Sequence, residues 1–232
     1  MTAFESVSTW RPAPAPTAPP VRARVISAVA DRVVALGPRR LRVVVDGRTG
    51  AGKSTFADEL AAAIRMHGRS TARASLDDFK YPWRHAREHG YDRETGEGYY
   101  RNAHDFASAR DLLLAPAAAA GDGRVVLCAH DPLTGVDHRD LVVALPADAV
   151  LVVDGVFAMR PEYDGFWDLR IWLDIDRATS RARGVGRDGN PEVHATRYEP
   201  AEDLYVAAVD PLGTADVEID HTDLTAPAIL RI

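Results

Sequence analysis

Hydrophobic residues recur at helical spacing over residues 21–36, and Gly37 and Pro38 end that pattern. An apolar, β-branched run follows at residues 41–46, and a second stretch of helical spacing covers residues 55–65. These periods predict a helix, a strand and a helix, in that order. The Gly and Pro pair marks the turn between the first helix and the strand.

The same alternation of strand and helix patterns continues along the rest of the chain. We predict further strands over residues 70–76, 124–129, 149–154, 169–174 and 216–220, the last being the final strand, and helices over 104–114, 176–187 and 199–209. Asp176 stands where a helix N-cap is expected. Residues 80–103 are rich in aromatic and charged groups and suggest a long functional loop, and residues 131–148 suit a hairpin or an irregular excursion.

Strands that alternate with helices predict an α/β fold with a mostly parallel sheet and helices on both of its faces. The runs at 43–45 and 150–153 are apolar without alternation. Strands that are covered on both faces have this composition, so these two runs are expected at the centre of a three-layer sandwich.

Length and charge narrow the class of protein. The chain has 232 residues and a net charge of −6, which suits one α/β domain and gives no basic field for nucleic acid or an anionic membrane. We expect a Pro/Ala-rich tail over 1–20, extended and mobile at its start, and a domain over 21–232. The single Cys128, the lack of a signal segment and the lack of a long apolar stretch favour a reduced, cytoplasmic protein.

Candidate chemistry starts at residues 47–54, which read Gly-Arg-Thr-Gly-Ala-Gly-Lys-Ser, a complete G-x-x-x-x-G-K-[ST] phosphate-binding loop between a predicted strand and a predicted helix. Backbone N–H groups and the helix N-terminus make such a loop an anion site. The candidate nucleotide-binding residues are Gly47, Thr49, Gly50, Ala51, Gly52, Lys53, Ser54 and Thr55. Lys53 is one of only two lysines in a chain that otherwise uses arginine, which suggests that a compact ammonium is needed there. The predicted fold is therefore of the P-loop NTPase type, with ATP or GTP as the ligand.

Three acids end predicted strands, where ligands bind in open parallel sheets. Asp154 follows four apolar residues, as does the acid that orders Mg²⁺ in P-loop proteins. Asp77 could accept the proton of an attacking hydroxyl, or Asp77 and Asp78 could simply cap the next segment. Both interpretations of Asp77 stay open at this stage.

Arginines and aromatic residues supply two further candidates. Arg183 and Arg187 share a face of a predicted helix and either neutralise phosphate or form a solvated face. Tyr99, Tyr100 and Arg101, in the aromatic segment that also contains Tyr91 and Arg93, either hold an aromatic substrate or pin a loop onto the core.

Taken together, four pieces resemble the uridine kinase family, within the group of P-loop kinases that includes phosphoribulokinase and bacterial pantothenate kinase. These pieces are the loop at 46–55, the sequence Leu-Asp-Asp-Phe at 76–79, the sequence Val-Asp-Gly-Val-Phe at 153–157, and the strand and arginine-bearing helix at 174–188. The closing run at 215–220 also fits the last strand of the family, so the resemblance spans residues 41–220.

The resemblance implies a kinase that moves the γ-phosphoryl group of ATP or GTP to the 5′-OH of uridine or cytidine. It implies Asp77 as the base, Lys53 and Ser54 as the contacts to phosphate and Mg²⁺, Asp154 as the magnesium-associated acid, and Arg183 and Arg187 as cations of a small lid. The acceptor motifs differ from those of the family, because residues 101–105 read Arg-Asn-Ala-His-Asp and His130 is the nearest equivalent of a pyrimidine-recognising His. Asp78, Tyr99, Tyr100, Arg101 and His130 are therefore only candidate acceptor residues.

Other functions stay open. The acceptor could be another small alcohol of the pantothenate or sugar-phosphate type, and the chain could be a catalytically silent, nucleotide-binding regulator. A GTPase switch is disfavoured, because neither lysine lies in an Asn-Lys-x-Asp motif. The partners expected are a nucleotide and a small alcohol, without nucleic acid or membrane, and a homo-oligomer is compatible with the sequence.

Overall fold

The computed structural model describes residues 1–11 and 18–232. Its strands are β1 (Ala3–Phe4), β2 (Leu41–Gly47), β3 (Thr71–Ser75), β4 (Arg124–Val126), β5 (Val142–Ala144), β6 (Val150–Asp154), β7 (Leu169–Asp174), β8 (Val217–Asp220) and β9 (Ala228–Arg231). Its helices are α1 (Pro20–Val34), α2 (Lys53–Met66), α3 (Trp83–Glu88), α4 (Gly96–Asn102), α5 (Phe106–Ser108), α6 (Arg177–Asp188), α7 (Pro191–Val193), α8 (Glu199–Val209) and α9 (Pro211–Thr214). Short 3₁₀ turns and π-helical turns connect some of them, among these a 3₁₀ turn over Leu76–Phe79.

Seven of the strands form one sheet in the order β1-β3-β6-β2-β7-β8-β9. Every neighbouring pair is parallel except β8 and β9, which are antiparallel. β2 and β6 lie at the centre and every residue in them is buried. The predicted α/β fold with a mostly parallel sheet is confirmed.

Helices cover both faces of the sheet, as period-two alternation along β2 requires. Val43 and Val45 face a core that contains Phe56 and Leu60 of α2 and is completed by α1. Val44 faces the opposite core, which is built from α8 and the helix that begins at α5, together with the aromatic rings of Phe157, Tyr163 and Tyr205. The sheet is therefore the middle one of three layers.

Several local predictions are wrong. Residues 80–103, expected as a loop, contain α3 and α4. The strand predicted over 124–129 is only β4, and it pairs antiparallel with β5 in a separate two-stranded sheet. β8 is not the last strand, because β9 adds an antiparallel edge. All three errors have one cause: short segments acquire their structure from tertiary contacts that a local pattern does not contain.

The predicted tail has two parts that differ. Residues 3–4 form β1, which pairs parallel with β3, and Ser6 and Ser8 are buried. Residues 12–17 of the Pro/Ala-rich stretch lie outside the described residues, and the expected mobility stays a prediction. The division into a tail over 1–20 and a domain over 21–232 stays a prediction. Within the described residues, no helix is both long enough and apolar enough to cross a membrane.

Candidate active site

The phosphate-binding loop connects the central strand β2 to α2. Gly50 and Gly52 have φ angles of +76° and +83°, which L side chains rarely adopt, and they turn the chain sharply into the helix. Lys53 is the first residue of α2, so the loop amides and the N-terminus of this helix meet at one point. The residues that the sequence motif assigned to nucleotide binding therefore form a glycine-rich turn at the N-terminus of a helix, the geometry that phosphate binding needs.

Lys53 lies over this loop. Its Nζ donates to the carbonyl oxygens of Gly47 and Arg48, at 2.9 Å and 3.0 Å. Burial lowers the pKa of Lys53, while nearby carboxylates, among them Asp46 and Glu202, act against that shift. The ammonium donates only to neutral carbonyl groups here, and it is placed to exchange them for the oxygens of a bound phosphate.

His221, the residue after β8, contacts the phosphate-binding loop. It was not predicted from the sequence. Its Nδ1 lies 2.5 Å from the Ala51 carbonyl oxygen, and its Nε2 lies 2.8 Å from Nη1 of Arg22 on α1. Burial lowers the pKa of His221 to about 4, so the ring is neutral at pH 7. Because arginine can only donate, the neutral tautomer carries its proton on Nδ1 and donates it to the loop.

Two carboxylates also hold the loop and were missed as supporting residues. Asp46 accepts from the amide of Gly47 at 2.7 Å and from the hydroxyl of Tyr205 at 2.5 Å. Glu202 of α8 accepts from the amide of Thr49 at 2.5 Å. The sequence gives no signal for Glu202, which lies 153 residues from its partner.

The candidate magnesium residues are adjacent. The Ser54 hydroxyl donates to Oδ2 of Asp154 at 2.5 Å, and Arg73 of β3 donates to Oδ1 at 2.9 Å. Hydroxyl and carboxylate oxygens next to a phosphate loop suit Mg²⁺, which retains several waters and needs few protein ligands. Arg73 leaves one carboxylate oxygen of Asp154 facing Ser54, so these two side chains fit a magnesium ion held partly through water. Among the described residues, no cluster of three or more His, Cys, Asp or Glu side chains offers another metal site.

Asp77 lies in the 3₁₀ turn that follows β3. Lys80 forms an ion pair with it at 2.7 Å and donates to the hydroxyl of Tyr99, also at 2.7 Å. Burial on its own would raise the pKa of Asp77, but the charge and hydrogen bond of Lys80 hold it at about 2. Lys80 was missed, although a second lysine three residues after Asp77 in an arginine-rich chain was a usable signal.

The arginine-bearing helix α6 packs directly on the loop. The Ser180 hydroxyl donates to the carbonyl oxygen of Thr49 at 2.8 Å. Asp176 accepts from the amide of Thr179 at 2.9 Å, so the predicted N-cap of this helix is confirmed. Arg183 donates to the carbonyl oxygen of His221 at 3.2 Å, and Arg187 pairs with Asp188 at 2.5 Å.

These groups share one cleft of about 630 Å³. The residues predicted from the sequence that line it are Thr49, Gly50, Gly52, Lys53, Ser54, Thr55, Asp77, Tyr99, Asp154, Arg183 and Arg187. Residues added by the structure include Trp10, Lys80, Trp83, Arg197 and Tyr198. The cleft therefore collects the candidate nucleotide, metal, base and lid residues.

The other candidate acceptor residues lie elsewhere. His130 lines a neighbouring cavity of about 500 Å³. Asp78 is buried against Ser6, Tyr100 packs on Phe157, and Arg101 is exposed and paired with Glu97. Only Tyr99 and His130 of the five acceptor candidates border the cleft or its neighbour.

Solved structures place this architecture among known folds. No family model matches the chain, and no curated protein matches it significantly in sequence. Solved structures that are named as kinases share its mostly parallel α/β fold. A "Possible Uridine Kinase from Bacillus stearothermophilus" matches with a TM-score of 0.66 and 24% identity, over 83% of this chain and 96% of that one.

Two further structures show the same fold. A "putative fructose transport system kinase from Silicibacter sp. TM1040" matches with a TM-score of 0.56 and 21% identity, over 81% of this chain and 90% of that one. The YGR205w protein matches with a TM-score of 0.56 and 14% identity, over 91% of this chain and 99% of that one. At these identities the likeness establishes the fold, and the activity has to be argued from the site.

Proposed function

We propose that the chain is a kinase that transfers the γ-phosphoryl group of ATP, or of GTP, to a hydroxyl of a small molecule. One observation carries this proposal: the phosphate-binding loop, the carboxylate of Asp77 and the lid arginine Arg183 face the same cleft. Phosphoryl transfer needs a phosphate cradle, a group that orients the nucleophile and cations around the transferred group. Two solved structures with the same fold are named as kinases, which supports the proposed kinase function.

In this mechanism Asp77 accepts a hydrogen bond from the acceptor hydroxyl and aligns it with the γ-phosphorus. Its pKa of about 2 keeps it ionised at every physiological pH. Such a weak base acts mainly by orienting the acceptor hydroxyl, and it takes up the hydroxyl proton late in the transfer. This order suits the loose transition state of phosphoryl transfer. Lys80 holds the carboxylate in place, and Lys53 and Arg183 neutralise charge on the phosphates.

Ser54 and Asp154 would hold Mg²⁺, directly or through water. When bound, this ion would supply positive charge that offsets the charge of the nucleotide phosphates. Arg73 restrains Asp154 from the opposite side, so its remaining oxygen stays directed at Ser54.

The first acceptors to examine are uridine and cytidine, which the sequence resemblance favours. The "Possible Uridine Kinase" among the solved neighbours and the position of His130 beside the cleft support their inclusion. Pantothenate, sugars and sugar phosphates complete the panel, because the second neighbour is called a fructose transport system kinase.

A coupled kinase assay with ATP and Mg²⁺ over this panel tests the proposal. Asp77→Asn should lower kcat by about 10²- to 10⁴-fold, the usual contribution of a positioned base, and leave ATP binding intact. Asp111→Asn removes an exposed acid away from the cleft and is the matched control. Full turnover in Asp77→Asn would overturn the assignment of the base, and nucleotide binding without turnover on any alcohol would favour the silent regulator.

A further inference from the structure

Two arginines flank a single indole ring at the edge of the cleft. The Cζ atom of Arg93 lies 4.4 Å from the ring centroid of Trp83, and that of Arg197 lies 5.4 Å from the same centroid. Both guanidinium groups line the cleft with Trp83. One ring therefore holds two cations close to each other.

Among the described residues neither cation forms an ion pair, although the charge of Arg197 helps to lower the pKa of Asp92 and the charge of Asp77 acts on Arg93. Arg93 donates to the Tyr81 carbonyl oxygen and Arg197 to that of Glu94. Arg84, an exposed arginine on α3, does form an ion pair, with Glu88. In a chain with a net charge of −6, unpaired cations are unexpected at this place.

Keeping both charges here is unfavourable without a ligand. Arg93 is only 5% exposed, and its buried Nε has no hydrogen-bond partner. Burial lowers the pKa of Arg93, and the charge of Arg197 lowers it further. Contact with the Trp83 face offsets only part of this cost. Two neighbouring guanidinium groups with free donors match a dianion that accepts several hydrogen bonds.

Arg93 and Trp83 extend from the cleft into a second cavity. The neighbouring cavity of about 500 Å³ shares Lys80, Trp83, Arg93 and Pro132 with the cleft, and it has no residue of the phosphate-binding loop in its lining. Lys80 also pairs with Asp77. Arg93 therefore borders the cavity on the acceptor side of the candidate base, and Arg197 lies in the cleft across the ring of Trp83, whereas we assign Lys53 and Arg183 to the nucleotide.

We propose that the acceptor is an alcohol that already carries a phosphomonoester, and that Arg93 and Arg197 bind this phosphate. The inference rests on the proposed kinase function and narrows its acceptor from a neutral nucleoside to a phosphorylated alcohol. The acceptor oxygen bonds to the γ-phosphorus, the bond from that phosphorus to the β–γ bridging oxygen breaks, and the hydroxyl proton passes to Asp77. The products are ADP and a doubly phosphorylated acceptor.

A binding measurement tests the site before the acceptor is identified. Inorganic phosphate is titrated calorimetrically into protein saturated with Mg²⁺ and a non-hydrolysable ATP analogue, so that the nucleotide phosphate site is filled. The expected result is one phosphate per chain, with affinity lowered on the order of 10- to 100-fold in Arg93→Gln and in Arg197→Gln. Arg110→Gln, an exposed arginine paired with Asp111, is the matched control and should bind as the unaltered protein does.

A kinetic measurement identifies the acceptor class. Sugars and polyols are compared with their own monophosphates, and uridine, cytidine and pantothenate are included. Turnover of a phosphorylated alcohol, with its KM raised in Arg197→Gln and the KM for ATP unchanged, supports the proposal. Arg197 is half-buried, so this variant serves even if Arg93→Gln does not fold.

Two outcomes would overturn the inference of a phosphorylated acceptor and would leave the proposed kinase function intact. These are turnover of a neutral nucleoside or of pantothenate that is unaffected by Arg197→Gln, or phosphate binding that is equal in all variants. Failure to bind the nucleotide analogue, or to transfer phosphate to any alcohol, would instead count against the proposed function itself.

Discussion

At the scale of single residues, two adjacent acids are held in opposite states. Asp77 has a pKa of about 2 because Lys80 overcomes the effect of burial. Burial raises the pKa of Asp78 to about 7, and the hydroxyls of Ser8 and Ser6 oppose that rise only in part. The first side chain is therefore a charged group facing the cleft, and the second is largely a structural contact behind it.

Lys80 should control the pH dependence of catalysis through Asp77. The folded pKa of Asp77 is depressed, so its ionised form persists as pH falls and is lost only near pH 2. We expect no acidic limb from Asp77 in the kcat profile of the unaltered protein above about pH 4, the ordinary value for Asp. Lys80→Gln should shift such a limb upward into the measurable range, because burial is then opposed only by the smaller effects of His104 and Lys53. Identical profiles for the two proteins would contradict this role of Lys80.

Asp78 should contribute a pH-dependent penalty to folding. Its folded pKa of about 7 exceeds the ordinary 3.8, so the native state holds a proton that the unfolded state has lost between those values, and stability falls as pH rises through that window. Asp78→Asn, which stays neutral, should gain stability relative to the parent by up to about 1.4 kcal/mol per pH unit. Denaturant unfolding from pH 4 to pH 8 measures this difference, and parallel curves would show that Asp78 ionises normally.

At the scale of elements, α6 is packed against the phosphate-binding loop without a gap. A Cβ on Gly50 would lie 2.9 Å from Cβ of Arg183 and 3.1 Å from the Ser180 carbonyl oxygen. The positive φ of Gly50 adds strain for any other residue. The lid helix and the loop therefore form one packed unit, in which the position of Arg183 depends on a glycine in a different element.

Gly50→Ala should displace α6 from the loop. We expect a loss of kcat/KM for ATP together with a loss of stability of about 1–3 kcal/mol, typical of overpacking. Gly186→Ala is the matched control, since a Cβ there meets nothing within 4 Å and the residue lies inside α6. It should stabilise the protein by about 0.5–1 kcal/mol. Unchanged nucleotide binding in Gly50→Ala would show that the lid and the loop are not coupled.

At the scale of the whole molecule, the first eleven residues join the edge of the central sheet to the candidate active site. β1 extends the sheet beside β3, and Ser6 donates to Asp78 at 2.9 Å. The Thr9 hydroxyl donates to Asp131 at 3.0 Å, and Trp10 lines the cleft. The N-terminal segment therefore closes one side of the candidate active site.

Deleting residues 1–11 should leave Asp78 and Asp131 without these partners. Each buried carboxylate that loses a donor costs about 1–3 kcal/mol, so the free energy of unfolding should fall by at least that amount. The KM for the acceptor should rise as well, because the wall formed by Trp10 is lost. Val7→Ser changes an exposed residue of the same segment and is the control for both measurements. Equal unfolding midpoints for the truncated and full chains would mean that the segment does not stabilise the fold.

The sequence by itself determined the central strands β2 and β6, the helices α1 and α2, and the phosphate-binding loop between β2 and α2. Each of these has a signal that is local: an apolar run in β2 and β6, helical spacing in α1, and a fixed glycine spacing in the loop. Asp77 and Asp154 became candidate site residues for the same reason, since short motifs carry them, and the structure brings them to one cleft.

Only the tertiary structure decided the rest. Support of the loop by His221 and Glu202 and the wall formed by Trp10 join residues far apart in the chain, and no periodicity encodes such pairs. The same holds for Arg93 and Arg197, which are two arginines among many until Trp83 brings them together. The candidate phosphate site lies in one short segment, whereas the candidate acceptor site is formed by side chains that meet only in the folded chain.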